Sequence, residues 1–167
     1  MAVKRELQQV YSSFSHALGL YVNCTESDGV LSKVSLTSRP LSAESHSSGS
    51  SAIVDFLDRG RDTLTDLPVT MTGTPFQKLV WRRLRTVRPG NVVTYGDLAR
   101  MAGAKGAARA VGRAVARNNL LIVVPCHRVV SVSGIGGFSA FGGMRTKLKL
   151  LELEKRYFGS NQNPDWR

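Results

Sequence analysis

Apolar residues recur along the chain with two different periods. Val3, Leu7, Val10, Tyr11 and Phe14 keep helical spacing and predict an opening helix. Leu20, Val22 and Cys24 then alternate with polar neighbours, Asp28-Gly29 supplies a turn, and Val34 and Leu36 alternate again, which predicts a hairpin. Six of the ten residues from Ser42 to Ser51 are serine, a composition that predicts a surface loop before a short helix, Ile53 to Arg59, closed by Gly60. Cys24, on a strand face, is expected to act as a small buried hydrophobe.

A second set of signals starts near Gly73. Thr74-Pro75 offers an N-cap with proline at the first helical position, and Phe76, Val80, Leu84 and Val87 form the apolar stripe of a helix ending before Gly90. Thr94-Tyr95-Gly96-Asp97 resembles a capping box and opens a short helix through Met101. After the turn Ala104-Lys105-Gly106, a second helix is predicted from Ala107 to Arg117, with Asn118 as a left-handed cap. Short helix, glycine-containing turn and longer helix together predict a helix-turn-helix. The fold class that emerges is α+β, with a small N-terminal α/β unit over residues 1–69 and a mostly helical unit over residues 70–167.

Charge sharpens this division. The 167-residue chain carries a net charge of +11, and 17 of its 23 Lys and Arg lie from residue 70 onward, against four Asp and Glu. No acidic side chain occurs between Asp97 and Glu152. A field of one sign attracts a polyanion. The second predicted helix shows which one: Ala107, Ala108, Ala110, Gly112, Ala114 and Ala116 are small, while Arg109, Arg113 and Arg117 recur every fourth residue. An interfacial membrane helix would carry large apolar residues opposite its arginines. Small residues let a helix backbone approach a narrow groove, so double-stranded DNA is the expected partner, bound with weak sequence preference.

No apolar run approaches the roughly 20 residues of a membrane span, and the first residues lack the apolar core of a secretory signal. A cytoplasmic protein is expected. Two cysteines and three histidines show no paired metal-ligand spacing, so neither a metal nor another cofactor is expected.

Leu120 to Val124 is an unbroken apolar run, read as a buried strand or core segment, that delivers Pro125-Cys126-His127-Arg128 at its end. A nucleophilic cysteine needs a base or positive charge nearby, and His127 and Arg128 are candidates. Ser133 to Ser139 is dense in glycine and can wall a pocket with backbone N–H groups. A papain-like hydrolase fits poorly, because its histidine is remote in sequence and the remaining histidines lie in the acidic half.

Thr74-Pro75-Phe76-Gln77, Thr94-Tyr95-Gly96-Asp97-Leu98-Ala99, Ala108-Arg109-Ala110-Val111-Gly112, Asn118, Pro125-Cys126-His127-Arg128-Val129-Val130, Gly136-Gly137-Phe138-Ser139 and Leu150-Leu151-Glu152-Leu153-Glu154 occur in an order that resembles the O6-alkylguanine-DNA alkyltransferases. The resemblance covers roughly Gly73 to Lys155 and implies a ribonuclease-H-like fold for the first half. It implies direct-reversal repair, in which an O6-alkylguanine, or an O4-alkylthymine, is flipped from the duplex and its alkyl group passes irreversibly to Cys126. By position, His127 would act through water as base, oriented by Glu154; Tyr95 would rotate the nucleotide and protonate the guanine; and Asn118 would support the turn holding the thiol. Arg109 would fill the vacated stack, with Ala107, Ala108, Gly112, Arg113, Arg117 and Arg128 among the DNA or substrate contacts. Val129, Gly137, Phe138 and Ser139 would border the base. The protein would act as a monomer. Asn119 stands where the family usually has proline, Phe138 replaces a common tyrosine, and Ala140 to Gly143 lengthen the loop. A non-catalytic alkyltransferase-like damage sensor is the alternative, and Cys126 argues against it.

Overall fold

A computed structural model describes residues 7–159. Three antiparallel strands, β1 (Gln9–Ser15), β2 (Leu20–Ser27) and β3 (Val30–Thr37), form a sheet in sequence order, and helix α1 (Ser48–Arg59) packs on it. The hairpin at Asp28-Gly29 stands where the alternation places it, with both turn residues at positive φ. Cys24 lies inside the sheet core, fully buried, with its thiol pushed up to about 12 by burial and by the charge of Glu26.

The opening helix is corrected to strand β1; Val3 lies outside the described residues. Serines, not the apolar residues, are buried there: Ser12, Ser13 and Ser15 are inaccessible, whereas Tyr11 and Phe14 are half-buried. Ser13 hydrogen-bonds His46 Nδ1 at 2.8 Å and Ser50 Oγ at 3.1 Å, and Ser15 donates to Asp58 at 2.5 Å. Ser12 donates to Asn23 at 2.7 Å. Each buried hydroxyl is thereby partnered, which is the condition for burying it at all. Periodicity of apolar residues cannot register a face built of serine.

The serine-rich stretch is likewise only partly loop. Ser47 caps α1, its hydroxyl accepting from the Ser50 amide while the Ser50 hydroxyl accepts from the Ser47 amide, so the helix begins at Ser48 rather than Ile53. This reciprocal capping box turns serine from a helix-neutral residue into a helix start.

The second half follows its local signals closely. Thr74 and Gln77 form a capping box at the start of α2 (Pro75–Leu84), and Thr94 and Asp97 do the same for α3 (Tyr95–Met101). Helix α4 (Ala108–Ala116) follows the turn through Gly103 and Gly106, both at positive φ. Trp81, almost fully buried, donates Nε1–H to the Ala114 carbonyl at 2.9 Å and locks α2 against α4. Strands β4 (Val93–Thr94) and β5 (Val129–Val130) pair in parallel, and the long helix α5 (Gly143–Phe158) closes the molecule.

One hydrophobic core runs through both halves. Leu120 to Val124 is a buried core segment that turns sharply, with Ile122 at φ 72°. Its Leu120 bridges β3: the Val34 amide donates to Asn119 O at 2.8 Å, and the Leu121 amide to Val34 O at 3.3 Å. Lys149 Nζ donates to Leu18 O at 2.9 Å and Tyr157 to Asp58 O at 2.8 Å, tying α5 to the first half. Among the described residues no helix is long and apolar enough to cross a membrane, and no group of three or more His, Cys, Asp or Glu is arranged to hold a metal.

Candidate active site and nucleic-acid interface

Cys126 opens a single 3-10 turn, Cys126–Arg128, that ends the buried segment. Asn118 builds the turn. Its Nδ2 donates to Val124 O at 2.8 Å and to Cys126 Sγ at 3.2 Å, while its Oδ1 accepts from the Leu120 amide at 2.9 Å. Asn118 does not adopt the left-handed conformation expected of a cap; Asp28 and Ile122 are the non-glycine residues at positive φ among those described. Its side chain is spent instead on the loop that carries the thiol.

Behind the thiol lies a buried charge array supplied by one face of α5. Glu154 accepts from His127 Nε2 at 2.6 Å, from Arg128 Nε at 3.0 Å and Nη2 at 2.8 Å, and from the Gly90 amide at 3.0 Å. Burial alone would raise its carboxyl, but His127 and Arg128 override burial and hold it at about 2. Burial pushes the imidazole of His127 below its ordinary value despite Glu154. A carboxylate only accepts, so Nε2 carries the His127 proton and Nδ1 is left as a lone pair. That Nδ1 is buried and makes no hydrogen bond within the described protein.

Two turns earlier on α5, Lys147 is completely buried, and its Nζ donates to Val129 O at 2.6 Å and Gly137 O at 3.1 Å. Burial lowers its ammonium to about 8, against the pull of Cys126. Burial raises the Cys126 thiol, while the Asn118 hydrogen bond and the Lys147 charge act in the opposite direction. Tyr95, half-buried, is raised by burial and by Cys126.

Cys126 is 7 % exposed, and that exposure faces a cavity of about 320 Å³ bordered by Tyr95, Gly112, Ala116, Phe138 and Ser139. This lies near the lower end of the roughly 300–1,000 Å³ of small-ligand pockets, enough for one flat ring system. Ser139 Oγ donates to Ala116 O at 3.5 Å, joining the glycine-rich loop to α4. Helix α4 buries Val111, Ala114 and Val115 and leaves Arg109, Arg113 and Arg117 exposed around the half-buried Ala107, Ala108 and Gly112. A Cβ added at Gly112 would meet the Tyr95 ring at 3.8 Å.

The same fold is found in the Mycobacterium tuberculosis OGT solved in complex with DNA, with a TM-score of 0.73 and 33% identity over 89% of this chain and 93% of that one. The chain belongs to the O6-methylguanine-DNA methyltransferase family. Residues 75–156 match the family model described as 6-O-methylguanine DNA methyltransferase, DNA binding domain. The methylated-DNA--protein-cysteine methyltransferase of Mycobacterium leprae is 49% identical over 90 residues, 53% of this chain and 53% of that protein. Its counterpart in Shigella flexneri is 49% identical over 89 residues, 53% of this chain and 51% of that protein. The sequence matches thus span about half the length of these curated relatives.

Within this methyltransferase fold, the structure brings Cys126, His127, Glu154, Asn118, Tyr95, Phe138, Gly137 and Ser139 together. Arg128 is a correction: expected among the DNA or substrate contacts and as a charge favouring the thiolate, it is 4 % exposed, bound to Glu154 and, at 2.5 Å, to Val87 O. A guanidinium so enclosed cannot reach a phosphate. Val129 is fully buried, and its carbonyl already accepts from Lys147. Lys147 is the residue that sequence reasoning missed. Its one signal in the sequence is its place seven residues before Glu154, on the same helical face.

Proposed function

We propose that the chain repairs DNA by moving the alkyl group of O6-alkylguanine, and of O4-alkylthymine, onto Cys126 Sγ in a single irreversible turnover. The observation that carries this reading is the thiol at the wall of a base-sized cavity that opens beside the arginines of α4. In the reaction a sulfur–carbon bond forms as the carbon–O6 bond breaks, and the leaving electron pair passes into the guanine ring. Tyr95 supplies a proton to that ring, a general-acid contribution of about 10²–10⁴-fold. The thiol proton leaves toward His127 Nδ1 through water, and the charge that develops on His127 is balanced by Glu154.

Helices α3 and α4 act as a helix-turn-helix on the minor groove of double-stranded DNA. Arg109 fills the space of the extruded nucleotide, which costs least to open where the pair is already damaged. Residues 1–69, as a ribonuclease-H-like unit, support residues 70–167, which bind DNA and carry the chemistry. Two unpaired thiols suit a reducing, cytoplasmic setting. Incubation with a duplex containing O6-methylguanine, followed by intact mass measurement, tests the proposal. The expected result is a gain of one methyl group, abolished in Cys126→Ser; tight binding with no change in mass would indicate a sensor instead.

A further inference from the structure

The geometry points to a second ligand site, for a nucleoside phosphate, in the cleft on the opposite side of the thiol-bearing segment. This cleft, about 620 Å³, lies where the end of α2 meets the chain after α1 and the end of α5. Its apolar lining includes Val87, Ile122, Val123, Pro125 and Phe158, and its charged lining Arg82, Arg85, Arg88, Arg128 and Asp62.

The arginines divide into two kinds. Arg85 donates to the carbonyls of Leu64, Thr65 and Leu67 and is faced by Asp66, while Arg128 is held by Glu154. Both build the cleft. Arg82 and Arg88 are exposed and, among the described residues, their guanidinium groups form no ion pair or hydrogen bond. Two uncommitted guanidiniums at the edge of an apolar hollow match a phosphate, which they bind in fork geometry. The volume of the cleft is sufficient for a flat ring, and the Phe158 ring in its lining is held in place by stacking on Phe56 at 5.6 Å. A lone carboxylate among arginines opposes a simple anion but accepts from sugar hydroxyls. Asp62 therefore favours a ribose between base and phosphate.

Occupancy would be felt at the thiol. Pro125 lines this cleft and its neighbour Cys126 lines the smaller cavity, while Arg128 lines the cleft and grips the carboxylate that holds His127.

Binding is read without any alkyl transfer, so the site stands or falls apart from the repair function. Calorimetric titration of the full chain with AMP should show saturable binding, weakened at least about tenfold in Arg82→Ala/Arg88→Ala, as loss of charge-assisted contacts requires. Melting curves verify that this double variant, altered only at exposed positions, stays folded. Arg109→Ala, on the DNA face, should leave AMP binding intact, and Asp62→Asn should weaken AMP more than dAMP. Saturating AMP should change the rate at which iodoacetamide labels Cys126, read by intact mass. A single-stranded hexanucleotide that binds more tightly than AMP through Arg82 and Arg88 would make a strand end, rather than a free nucleotide, the source. No saturable binding, equal affinity in the double variant, loss in Arg109→Ala, or inorganic phosphate binding as tightly as AMP would each overturn the assignment. An unchanged labelling rate would overturn the coupling.

Discussion

At Cys126, burial and reactivity pull in opposite directions. Enclosure raises the thiol, and the Asn118 amide, the Lys147 ammonium and the backbone amides of Cys126 and His127 offset part of that rise. Reaction with a small benzylated guanine should therefore accelerate with pH by about tenfold per unit below pH 8, as thiolate accumulates. Above about 8 Lys147 itself loses its charge, its support for the thiolate fades, and the rise becomes shallower. Lys147→Met removes that support below about pH 8. Its rate at pH 7 should fall by about tenfold, with the two profiles converging at higher pH; an unmoved profile would limit Lys147 to bracing Val129 and Gly137.

Glu154 has the opposite sign. Its carboxyl is depressed from 4.5 to about 2, so the stability it contributes is fully present above pH 4.5 and disappears as pH falls through about 2. Glu154→Gln leaves Arg128 buried without its counter-charge, a change that costs about 3–5 kcal/mol. Urea titrations at a series of pH values should show the gap between the two proteins closing toward pH 2, together with slower reaction of the variant at neutral pH.

Among the elements, α4 shows a trade between stability and room. Glycine within a helix costs roughly 0.5–1 kcal/mol relative to alanine. Gly112→Ala should therefore raise the melting temperature, since its Cβ would sit in ordinary contact with Tyr95. The added methyl also narrows the cavity. Reaction with a benzylated substrate should slow by about tenfold relative to a methylated one, the scale on which one methyl group in a pocket discriminates. Helices α2, α3 and α4 were legible in the sequence to within a few residues, because caps, an N1 proline and turn glycines are local devices. Strand β1 was not, because its buried positions are Ser12, Ser13 and Ser15, whose burial depends on partners up to 43 residues away. The Cys126 to Arg128 string stood out through the motifs around it, but whether Arg128 faces DNA or Glu154 is decided by α5, which sequence spacing alone does not place.

Taken as a whole, the molecule carries its positive excess in the half that presents α4. If Arg113 and Arg117 each neutralise one phosphate, log affinity for duplex DNA should fall against log salt with a slope of at least about −1.8, and Arg113→Ala should reduce it by about 1. A flat response would remove α4 from the interface. The continuous core and the ties from α5 to Leu18 and Asp58 predict that both halves unfold in one calorimetric transition.

The junction between Val34 and the Asn119–Leu121 stretch is made of main-chain amides and carbonyls, which every residue but proline can provide in full. A seam of that kind imposes almost no side-chain code on the first half. Its sequence is free to drift while the grip on the nucleophile's loop persists, in keeping with a curated match confined to 53% of the chain beside a shared fold over 89%. Chimeras that exchange this half between relatives should assemble around the same ladder.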